Sequence, residues 1–344
     1  MQISDLILNV AILFIMMIPG VILKKCKFCQ DGFGKGISNL VLYIAQPCLI
    51  VYAYLSCESK LSDIWLGCVM TFILSVIAHI IFSGVSLLLF KKAPDSRRRM
   101  LRFATVFSNA AFMGIPLIQA ILSPEAAIYA SIYNITFNLF LWTLGVHFCT
   151  RVDGEDMDGD GDSDLLDEYL SARHNAKKEV SLLKVLLHPV TIASALGLIL
   201  LAVGVDIELL ENNNLGIISR SLEMLKGLVA PLSMVVIGLR LPDIEFRGIF
   251  RDLHMYIFLA LRHLILPISV IGVMWLMKLV GIPLSYETVM VTAILASAPA
   301  ASSATMFAEK YDCDASYVSR LVVVSTILCI ATMPLIALLT ELIA

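Results

Sequence analysis

The sequence predicts an all-α polytopic membrane protein with ten transmembrane helices, arranged as two inverted repeats of five helices each. Three observations lead to this fold class: apolar segments of membrane length, an alternation of basic loops, and landmark residues that recur at a fixed interval. Apolar residues make up 59% of the 344 residues, and the mean hydropathy is +0.87. Since soluble domains are only about 45–50% apolar, this composition excludes an ordinary soluble protein.

Ten apolar segments supply the predicted spans. A helix needs about 20 predominantly apolar residues to cross the hydrocarbon core of a bilayer, and segments of about this length follow one another along the chain. They lie near residues 4–24, 37–55, 64–90, 101–122, 126–149, 186–204, 216–239, 253–277, 286–308 and 315–343. The first segment has no basic flank before it and is too long for a cleaved signal peptide, so we interpret it as a retained span.

The loops between these spans alternate in charge. Basic residues cluster after the first, third, fifth and seventh spans, as in "KKAPDSRRR" after the third, whereas the intervening loops carry few of them. Basic loops stay in the cytoplasm during membrane insertion. The alternation therefore predicts a multi-pass protein of the plasma or inner membrane with both termini on the extracytoplasmic side.

One cytoplasmic loop, residues 151–184, has a composition of its own. It separates a first repeat at residues 1–150 from a second at residues 185–344 and contains the acidic run "DGEDMDGDGDSDLLDEY". The carboxylate spacing of a calcium-binding loop is met by Asp156, Asp158, Asp160 and Asp167. An aspartate stands where such loops carry a bidentate glutamate, so a solvated acidic linker is the favoured interpretation and calcium binding is the alternative.

Landmark residues recur at an interval of 183 or 184 positions, which indicates an internal repeat. The matched pairs are Pro47 with Pro231, His79 with His263, and Pro116 with Pro299. Each pair falls in corresponding spans when spans 1–5 are laid over spans 6–10. Because five is an odd number, the second copy runs through the membrane in the opposite direction. Inverted repeats with broken helices in corresponding places are typical of secondary transporters.

Proline interrupts two corresponding spans, in "SNAAFMGIPLIQA" and "LASAPAASSATMF". Pro116 and Pro299 each remove a backbone donor, which favours a break or a kink in the helix. The second half of each broken helix would point free N–H groups and a positive dipole end into the protein, where an anion binds favourably. Besides the two prolines, the candidate substrate-binding residues at these breaks are Asn109, Gly114, Ser297, Ser302 and Ser303. For the serines, close helix packing by small residues is the alternative.

Other polar residues lie inside the spans. Asn134 and Asn138 are one turn apart on one face of the fifth span, where they either line the same cavity or bond within their own helix. Arg262 lies near the middle of the eighth span, where an arginine costs about 2.5–3.5 kcal/mol on the insertion scale and needs a partner. That partner is either the substrate anion or the carbonyl ends of the broken helices, which Arg262 would brace together with His263 and His79.

Several of these segments resemble the auxin efflux carrier family, which includes the plant PIN carriers and bacterial organic-acid permeases. The resemblance is carried by "SNAAFMGIPLI", "HPVTIASALGLI", "LSMVVIGLRL", "ALRHLILP" and "APAASSATMFAEKY". It implies a fold similar to that of bile acid/sodium symporters, with a scaffold of spans 1, 2, 6 and 7 beside a transport unit of spans 3–5 and 8–10, in which spans 4 and 9 cross. It also implies an elevator motion, contact of Asn109 with an organic anion, and a homodimer formed through the scaffold.

The predicted function is therefore secondary transport of a small organic acid by alternating access at the crossed breaks. Ala300 and Ala301 stand where the plant carriers have a glutamine-glycine pair, so the predicted substrate class is mono- and dicarboxylates in general, auxin-like acids included. A membrane sensor that retains the carrier fold is the alternative. The sequence contains neither G-x-S-x-G nor H-E-x-x-H, which disfavours an enzyme, and we expect membrane lipid but no cofactor and no nucleic acid as partners.

The coupling of this transport stays open between a sodium ion, a proton and uniport. Aspartate and glutamate are absent from the middle of every predicted span. A proton relay through a buried acid is therefore disfavoured, because such relays are built from intramembrane carboxylates.

Overall fold

The structure is a computed structural model that describes residues 3–30, 32–150, 185–212, 215–243 and 252–344. Within these ranges all regular secondary structure is helical, apart from one antiparallel bridge between Ser108 and Ala300. The predicted all-α class is confirmed. The acidic loop lies outside the described residues, and with it lie its candidate calcium ligands, Asp156, Asp158, Asp160 and Asp167.

The described helices before the acidic loop occupy the first five predicted spans. They are α1 (Ile3–Ile15), α2 (Ile18–Lys25), α3 (Phe33–Leu55), α4 (Leu61–Leu89), α5 (Asp95–Val106), α6 (Ala110–Ile121) and α7 (Pro124–Phe140), which continues through Leu141–Gly145 to Val146–Thr150. The first span is divided by a turn at Met16 and Met17. Pro19 follows in the first turn of α2, where its missing N–H would have had no intrahelical partner in any case.

All but one of the described helices after the acidic loop lie in the other five predicted spans, and the exception, Ile207–Asn212, lies between the sixth and the seventh. They are α8 (Pro189–Val203), α9 (Ile207–Asn212), α10 (Gly216–Arg240), α11 (Leu253–Leu279), α12 (Tyr286–Ser297), α13 (Ser303–Lys310) and α14 (Ala315–Glu341). Side-chain caps start five of them: His188, Asp206, Asp252, Ser285 and Asp314 each accept a hydrogen bond from a backbone N–H of the first turn. Such caps satisfy donors that a helix leaves without a partner.

Five of these helices are long and apolar enough to cross a membrane, namely α3, α4, α10, α11 and α14. This supports the prediction of a multi-pass membrane protein. The fourth and ninth spans are each made of two helices with a break between them, α5 with α6 and α12 with α13. The inverted relation of the two halves stays a prediction.

The helices pack in two neighbouring groups. In one group, α3 packs along α8 and the first half of α10, and α2 packs along the second half of α10. In the other group, α4 packs against α5, α7 and α12, while α14 packs against α12 and α13. Contacts between the groups run from α7 to α3 and α8, and from α6 to α1 and α10. Buried apolar residues form one core around α3, α6 and α7 and another around α5, α11 and α12.

The α2 and α10 helices cross with their backbones in direct contact. A Cβ atom added at Gly20 would lie 2.2 Å from the carbonyl oxygen of Val235, and one added at Gly238 would lie 2.1 Å from the carbonyl oxygen of Met17. Both contacted atoms belong to the backbone, so they cannot move aside as a flexible side chain could. Only glycine therefore fits at these two positions, and this crossing fixes the first span against α10.

A wide π turn precedes three prolines of these helices. The π turns at Val41–Ala45, Ala110–Gly114 and Leu261–Ile265 are followed two residues later by Pro47, Pro116 and Pro267, respectively. A proline ring clashes with the carbonyl group four residues earlier, and the wider turn relieves this clash while the helix continues. The prediction that Pro116 breaks its helix is therefore wrong. The α6 helix runs through Pro116, and the break lies before it, at residues 107–109.

Candidate functional site

The two broken helices cross at their breaks. The first break covers residues 107–109, between α5 and α6, and the second covers residues 298–302, between α12 and α13. The two extended segments run antiparallel and pair through their backbones. The N–H groups that donate, with their carbonyl acceptors, are Asn109 to Pro299 at 2.7 Å and Ala301 to Phe107 at 2.8 Å.

The two breaks are not related by the interval that relates the prolines. Pro299 lies in the second break, as predicted, whereas Pro116 lies inside α6. When residues 107–109 are shifted by that interval, they correspond to positions inside α12, whereas the second break begins only after the end of α12. The matched prolines locate the two broken spans, but the position of the first break follows from its pairing with the second.

Arg262 joins the two breaks. Its fully buried side chain extends from the π turn of α11. The guanidinium donates to the carbonyl oxygen of Ala298 from Nε at 3.0 Å and from Nη2 at 2.7 Å, and to that of Thr105 from Nη1 at 3.0 Å. Carbonyl groups at the end of a helix lack intrahelical partners. Two partners were considered for Arg262, the substrate anion and the carbonyl ends of the broken helices. In the structure its guanidinium donates to the carbonyl ends.

His263 extends this network into α14. Its Nε2 lies 2.9 Å from the hydroxyl of Ser325, and its Nδ1 lies 2.9 Å from the hydroxyl of Thr332. The Ser325 hydroxyl also accepts the N–H of Ala300 at 3.0 Å, so this network satisfies a backbone donor of the second break. His79 instead contacts a backbone carbonyl of its own helix, α4. The structure thus brings His263 to the crossing and leaves His79 outside its hydrogen bonds.

Two side chains from the other group of helices also reach the crossing. Arg240, the last residue of α10, donates from Nη1 to the carbonyl oxygen of Ser302 at 2.9 Å. Gln46 of α3 is fully buried and donates from Nε2 to the carbonyl oxygen of Ala111 at 2.8 Å. Neither residue was predicted from the sequence as part of the site. A glutamine inside a predicted apolar span was the signal that could have identified Gln46, because polar groups at that depth require partners.

The predicted substrate-binding side chains differ in what they contact. Asn109 and Asn134 are 4% and 3% exposed, and their amides have no hydrogen-bond partner among the described residues. In contrast, Asn138 donates to the carbonyl oxygen of Asn134 in its own helix at 2.9 Å, and the hydroxyl of Ser297 donates to that of Ile294 at 3.0 Å. Asn109 and Asn134 therefore keep free hydrogen-bonding capacity, whereas Asn138 and Ser297 are satisfied locally.

The remaining predicted positions lie at the starts of the second half-helices. Gly114 is a packing position, because a Cβ atom there would lie 2.5 Å from Cδ2 of Leu295 on α12. Ser302 and Ser303 lie at the start of α13, and their hydroxyls have no partner in the described part of the chain. The first N–H groups of a helix lack intrahelical partners. Those left without one here, within the described ranges, are Ala110, Ala111, Phe112, Ser302 and Ser303.

A separate cleft of about 280 Å³ lies beyond the far end of α6. It is formed by α3, α6, α7 and the first half of α10, and none of the predicted site residues lines it. Its wall contains one lysine, Lys226, which was not predicted from the sequence either. A lysine inside the predicted span 216–239 was the available signal, because an intramembrane charge is itself a candidate for function.

The chain is similar in sequence to known membrane transport proteins. The family described as membrane transport protein matches residues 5–337. A relative from Methanothermobacter thermautotrophicus, described as an uncharacterized transporter, is 25% identical over 336 residues, which cover 96% of each chain. The resemblance to the auxin efflux carriers is confirmed by the family match. Because that match includes every described helix that forms the crossing, this chain belongs to the membrane transport protein family, that of the auxin efflux carriers.

Proposed function

We propose that this protein is a secondary transporter that carries a small organic anion by an elevator motion centred on the crossing. The observation that supports the proposal best is the pair of broken helices joined through Ser108 and Ala300. Carriers built from inverted repeats bind their substrates where broken helices meet near the middle of the membrane. Transport is the property of the family, and the anion and the elevator motion are our proposal.

The packing of the helices supports a division into two units. The proposed transport unit, α4–α7 and α11–α14, contains the crossing and Arg262, while the proposed scaffold, α1–α3 with α8–α10, packs around α3 and α10. The scaffold reaches the crossing through Arg240 and Gln46. A sliding motion of one unit against the other would break these two hydrogen bonds, so we assign them to one end state of the transport cycle.

The chemistry of the crossing suits an anion. The amide of Asn109 and the first N–H groups of α6 and α13 are available donors, and the positive dipole ends of these helices favour negative charge. Asn134 and the hydroxyls of Ser302 and Ser303 add neutral hydrogen-bonding groups. Arg262 contributes positive charge nearby, while its own donors hold backbone carbonyls.

Net flux in proteoliposomes tests the proposal. The purified protein is reconstituted, and uptake of labelled benzoate and succinate is measured without an ion gradient, with a sodium gradient and with a proton gradient. We expect uptake above that of protein-free liposomes, and its dependence on one gradient would identify the coupling ion. Uptake at the protein-free level for a panel of mono- and dicarboxylates under all three conditions would contradict the proposal.

The variant Asn109→Ala separates substrate contact from folding. A hydrogen bond to a charged partner contributes about 1.5–3 kcal/mol, so we expect substrate affinity to fall by about tenfold to a hundredfold. The melting temperature should stay nearly constant, because the lost amide has no partner in the substrate-free protein. Asn138→Ala is the matched control, since its amide is buried but bonded within its own helix. An equal loss of affinity in both variants would remove Asn109 from the site.

A further inference from the structure

The cleft beyond the end of α6 lies between the two proposed units. Its scaffold wall is formed by the ends of α3 and of the first half of α10, and its other wall by the end of α6 and the start of α7. Gln119 of α6 lines it, whereas Asn109 lies at the opposite end of that helix, roughly 15 Å away at 1.5 Å per residue. The cleft is therefore a second location, distinct from the crossing.

Lys226 is a charge held inside a membrane helix. It lies roughly 15 Å along α10 from Gly216, at 1.5 Å per residue, and its side chain is half-buried. Its ammonium group lies 3.5 Å from the ring centroid of Tyr52, which is a cation–π contact. Among the described residues no carboxylate lies within salt-bridge distance of it. The contact with Tyr52 orients the ammonium group, and Glu223 attracts it from beyond ion-pair distance. No carboxylate in the described part of the chain therefore forms a direct ion pair with Lys226.

The rest of the lining combines a few polar groups with an apolar wall. The hydroxyl of Ser123 is buried without a hydrogen-bond partner, and the amide of Gln119 has none among the described residues. The apolar side chains of the lining are Leu49, Ala53, Leu122, Pro124 and Ala127. Buried polar groups without partners are rare in native structures and call for an explanation. A polar ligand that enters the cleft would supply the missing partners.

We propose that this cleft is a binding site for a monocarboxylate with an apolar body, and that Lys226 binds the carboxylate. The inference rests on the proposed function, since the ligand is the carrier's substrate on its way between solvent and the crossing. Ser123 and Gln119 donate to the same carboxylate, and the apolar body packs against Leu49 and Leu122. The volume is at the small end of the roughly 300–1,000 Å³ that ligand pockets span, which points to a small acid.

The lining also selects against dicarboxylates. A second carboxylate would have to lie against the apolar wall, and burying a charge without a partner is costly. The cleft thus offers one cation and one apolar wall, and these match a ligand with one negative charge and one apolar body.

Binding of three probes to the purified full-length protein tests the inference. Isothermal titration calorimetry compares benzoate with benzamide, which has the same shape without the charge, and with succinate, which has a second carboxylate. We expect benzoate to bind more tightly than both. In Lys226→Gln the affinity for benzoate should fall by about tenfold to a hundredfold, towards that of benzamide, and Lys226→Arg should retain most of it.

Two further variants make the test specific. Arg220→Gln removes an exposed cation from the same helix and should leave the affinity for benzoate unchanged. Leu122→Trp fills the cleft without altering the lysine and should weaken benzoate and benzamide together. If Lys226→Gln proves unstable, Leu122→Trp and Lys226→Arg carry the test. Equal benzoate affinity in wild type and Lys226→Gln, an equal loss in Arg220→Gln, or no binding of any probe would overturn the inference.

The outcomes also separate this inference from the proposed function. If benzoate is transported and Lys226→Gln leaves the concentration dependence of its flux unchanged, the cleft site is wrong and the carrier stands. If benzoate binds in a Lys226-dependent manner while proteoliposomes show no flux of any acid, the cleft is a binding site and the carrier proposal is wrong.

Discussion

The two breaks of the crossing are held in different ways. At the second break, side chains from three helices satisfy the backbone: Arg262 of α11, Ser325 of α14 and Arg240 of α10. At the first break, residues 107–109 are held by the backbone bridge and by one hydrogen bond of Arg262 just before it. Asn109, in that first break, keeps an amide without a partner among the described residues.

This difference indicates a division of roles between the breaks. Fully satisfied polar networks in a low dielectric are strong and hold their members in one arrangement. A buried polar group without a partner lowers stability, unless a ligand completes it. We infer that Arg262, Ser325 and Arg240 fix the geometry of the crossing at the second break, and that the first break, together with the start of α13, supplies donors to the substrate. Variants of residues at the two breaks distinguish these roles.

The variant Arg262→Gln should have the largest effect, and it should act on stability. It leaves the carbonyl groups of Ala298 and Thr105 without their donor, and each unsatisfied buried group costs about 1–3 kcal/mol. We expect the free energy of unfolding of the substrate-free protein to fall by about 3 kcal/mol or more and transport to be lost. The melting temperature in detergent without substrate measures this.

The companion variant Arg262→Lys keeps the charge but lacks the planar fork of donors. If Arg262 braces the crossing, the lysine variant should also be destabilised, because one ammonium group does not reproduce the three hydrogen bonds of the guanidinium. If Arg262 is instead the counter-charge of the substrate, both variants should keep the wild-type melting temperature. Anion affinity would then collapse only in Arg262→Gln.

The helices and the second break could be predicted from the sequence because both depend on local properties. Membrane-length apolar segments specify helices, and Pro299 disrupts its helix where the sequence places it. Pro116 is the same local signal for a break, but its helix continues. The wider π turn at Ala110–Gly114 relieves the clash of the proline ring with the preceding turn. The break at residues 107–109 contains neither proline nor glycine. This break is stabilised by backbone pairing with the second break, almost two hundred positions later in the sequence. A local sequence pattern cannot predict such a long-range contact.

The candidate site was predictable to a lesser degree than the fold. The burial cost of Arg262 predicts that it has a partner, but only the folded chain shows that the partners are backbone carbonyls. The spacing of Asn134 and Asn138 places both on one face, yet Asn138 is satisfied by its own helix and Asn134 is not. Which of two similar side chains stays free depends on the packing around each of them.

The variant Asn109→Asp should have the largest effect on binding at the first break. It keeps the shape of the side chain and adds a negative charge where the proposed substrate places its own. Two like charges about 4 Å apart repel by about 4 kcal/mol at an effective dielectric constant of about 20. Anion affinity should fall by about a hundredfold or more, as measured by binding of benzoate and succinate.

The stability of Asn109→Asp distinguishes this effect from misfolding. A carboxylate at the start of α6 interacts favourably with the helix dipole, so the melting temperature should stay level or rise. Unchanged anion affinity in a folded Asn109→Asp variant would place the substrate away from the first break. The division of roles between the breaks would then be wrong.

The variant Ser325→Ala should have a smaller effect, confined to stability. It removes the acceptor for the N–H of Ala300 and the contact with Nε2 of His263. Hydrogen bonds inside membrane proteins average about 0.6 kcal/mol, and an unsatisfied buried donor adds to this loss. We expect the free energy of unfolding to fall by about 1 kcal/mol, with anion affinity unchanged in a titration of the folded variant. Reduced affinity at unchanged stability would assign Ser325 to the substrate site.

The smallest effect is expected for Ser297→Ala, at the end of α12. Its hydroxyl is fully buried and donates to the carbonyl oxygen of Ile294 in its own helix. Alanine removes this donor, and we expect a change of no more than about 0.5 kcal/mol in the free energy of unfolding and no change in anion affinity. Ser302→Ala is the contrasting variant, because the hydroxyl of Ser302 has no partner among the described residues.

A ligand contact at Ser302 would make the affinity of Ser302→Ala about tenfold lower, which corresponds to about 1.4 kcal/mol. Binding of benzoate and succinate to the two alanine variants, measured side by side, separates a locally satisfied serine from a free one. Equal losses in both would mean that Ser297 releases the carbonyl of Ile294 when the anion binds. The end of α12 would then supply a donor to the substrate as well, and the difference between the two breaks would lie only in how firmly Arg262 and Ser325 hold the second.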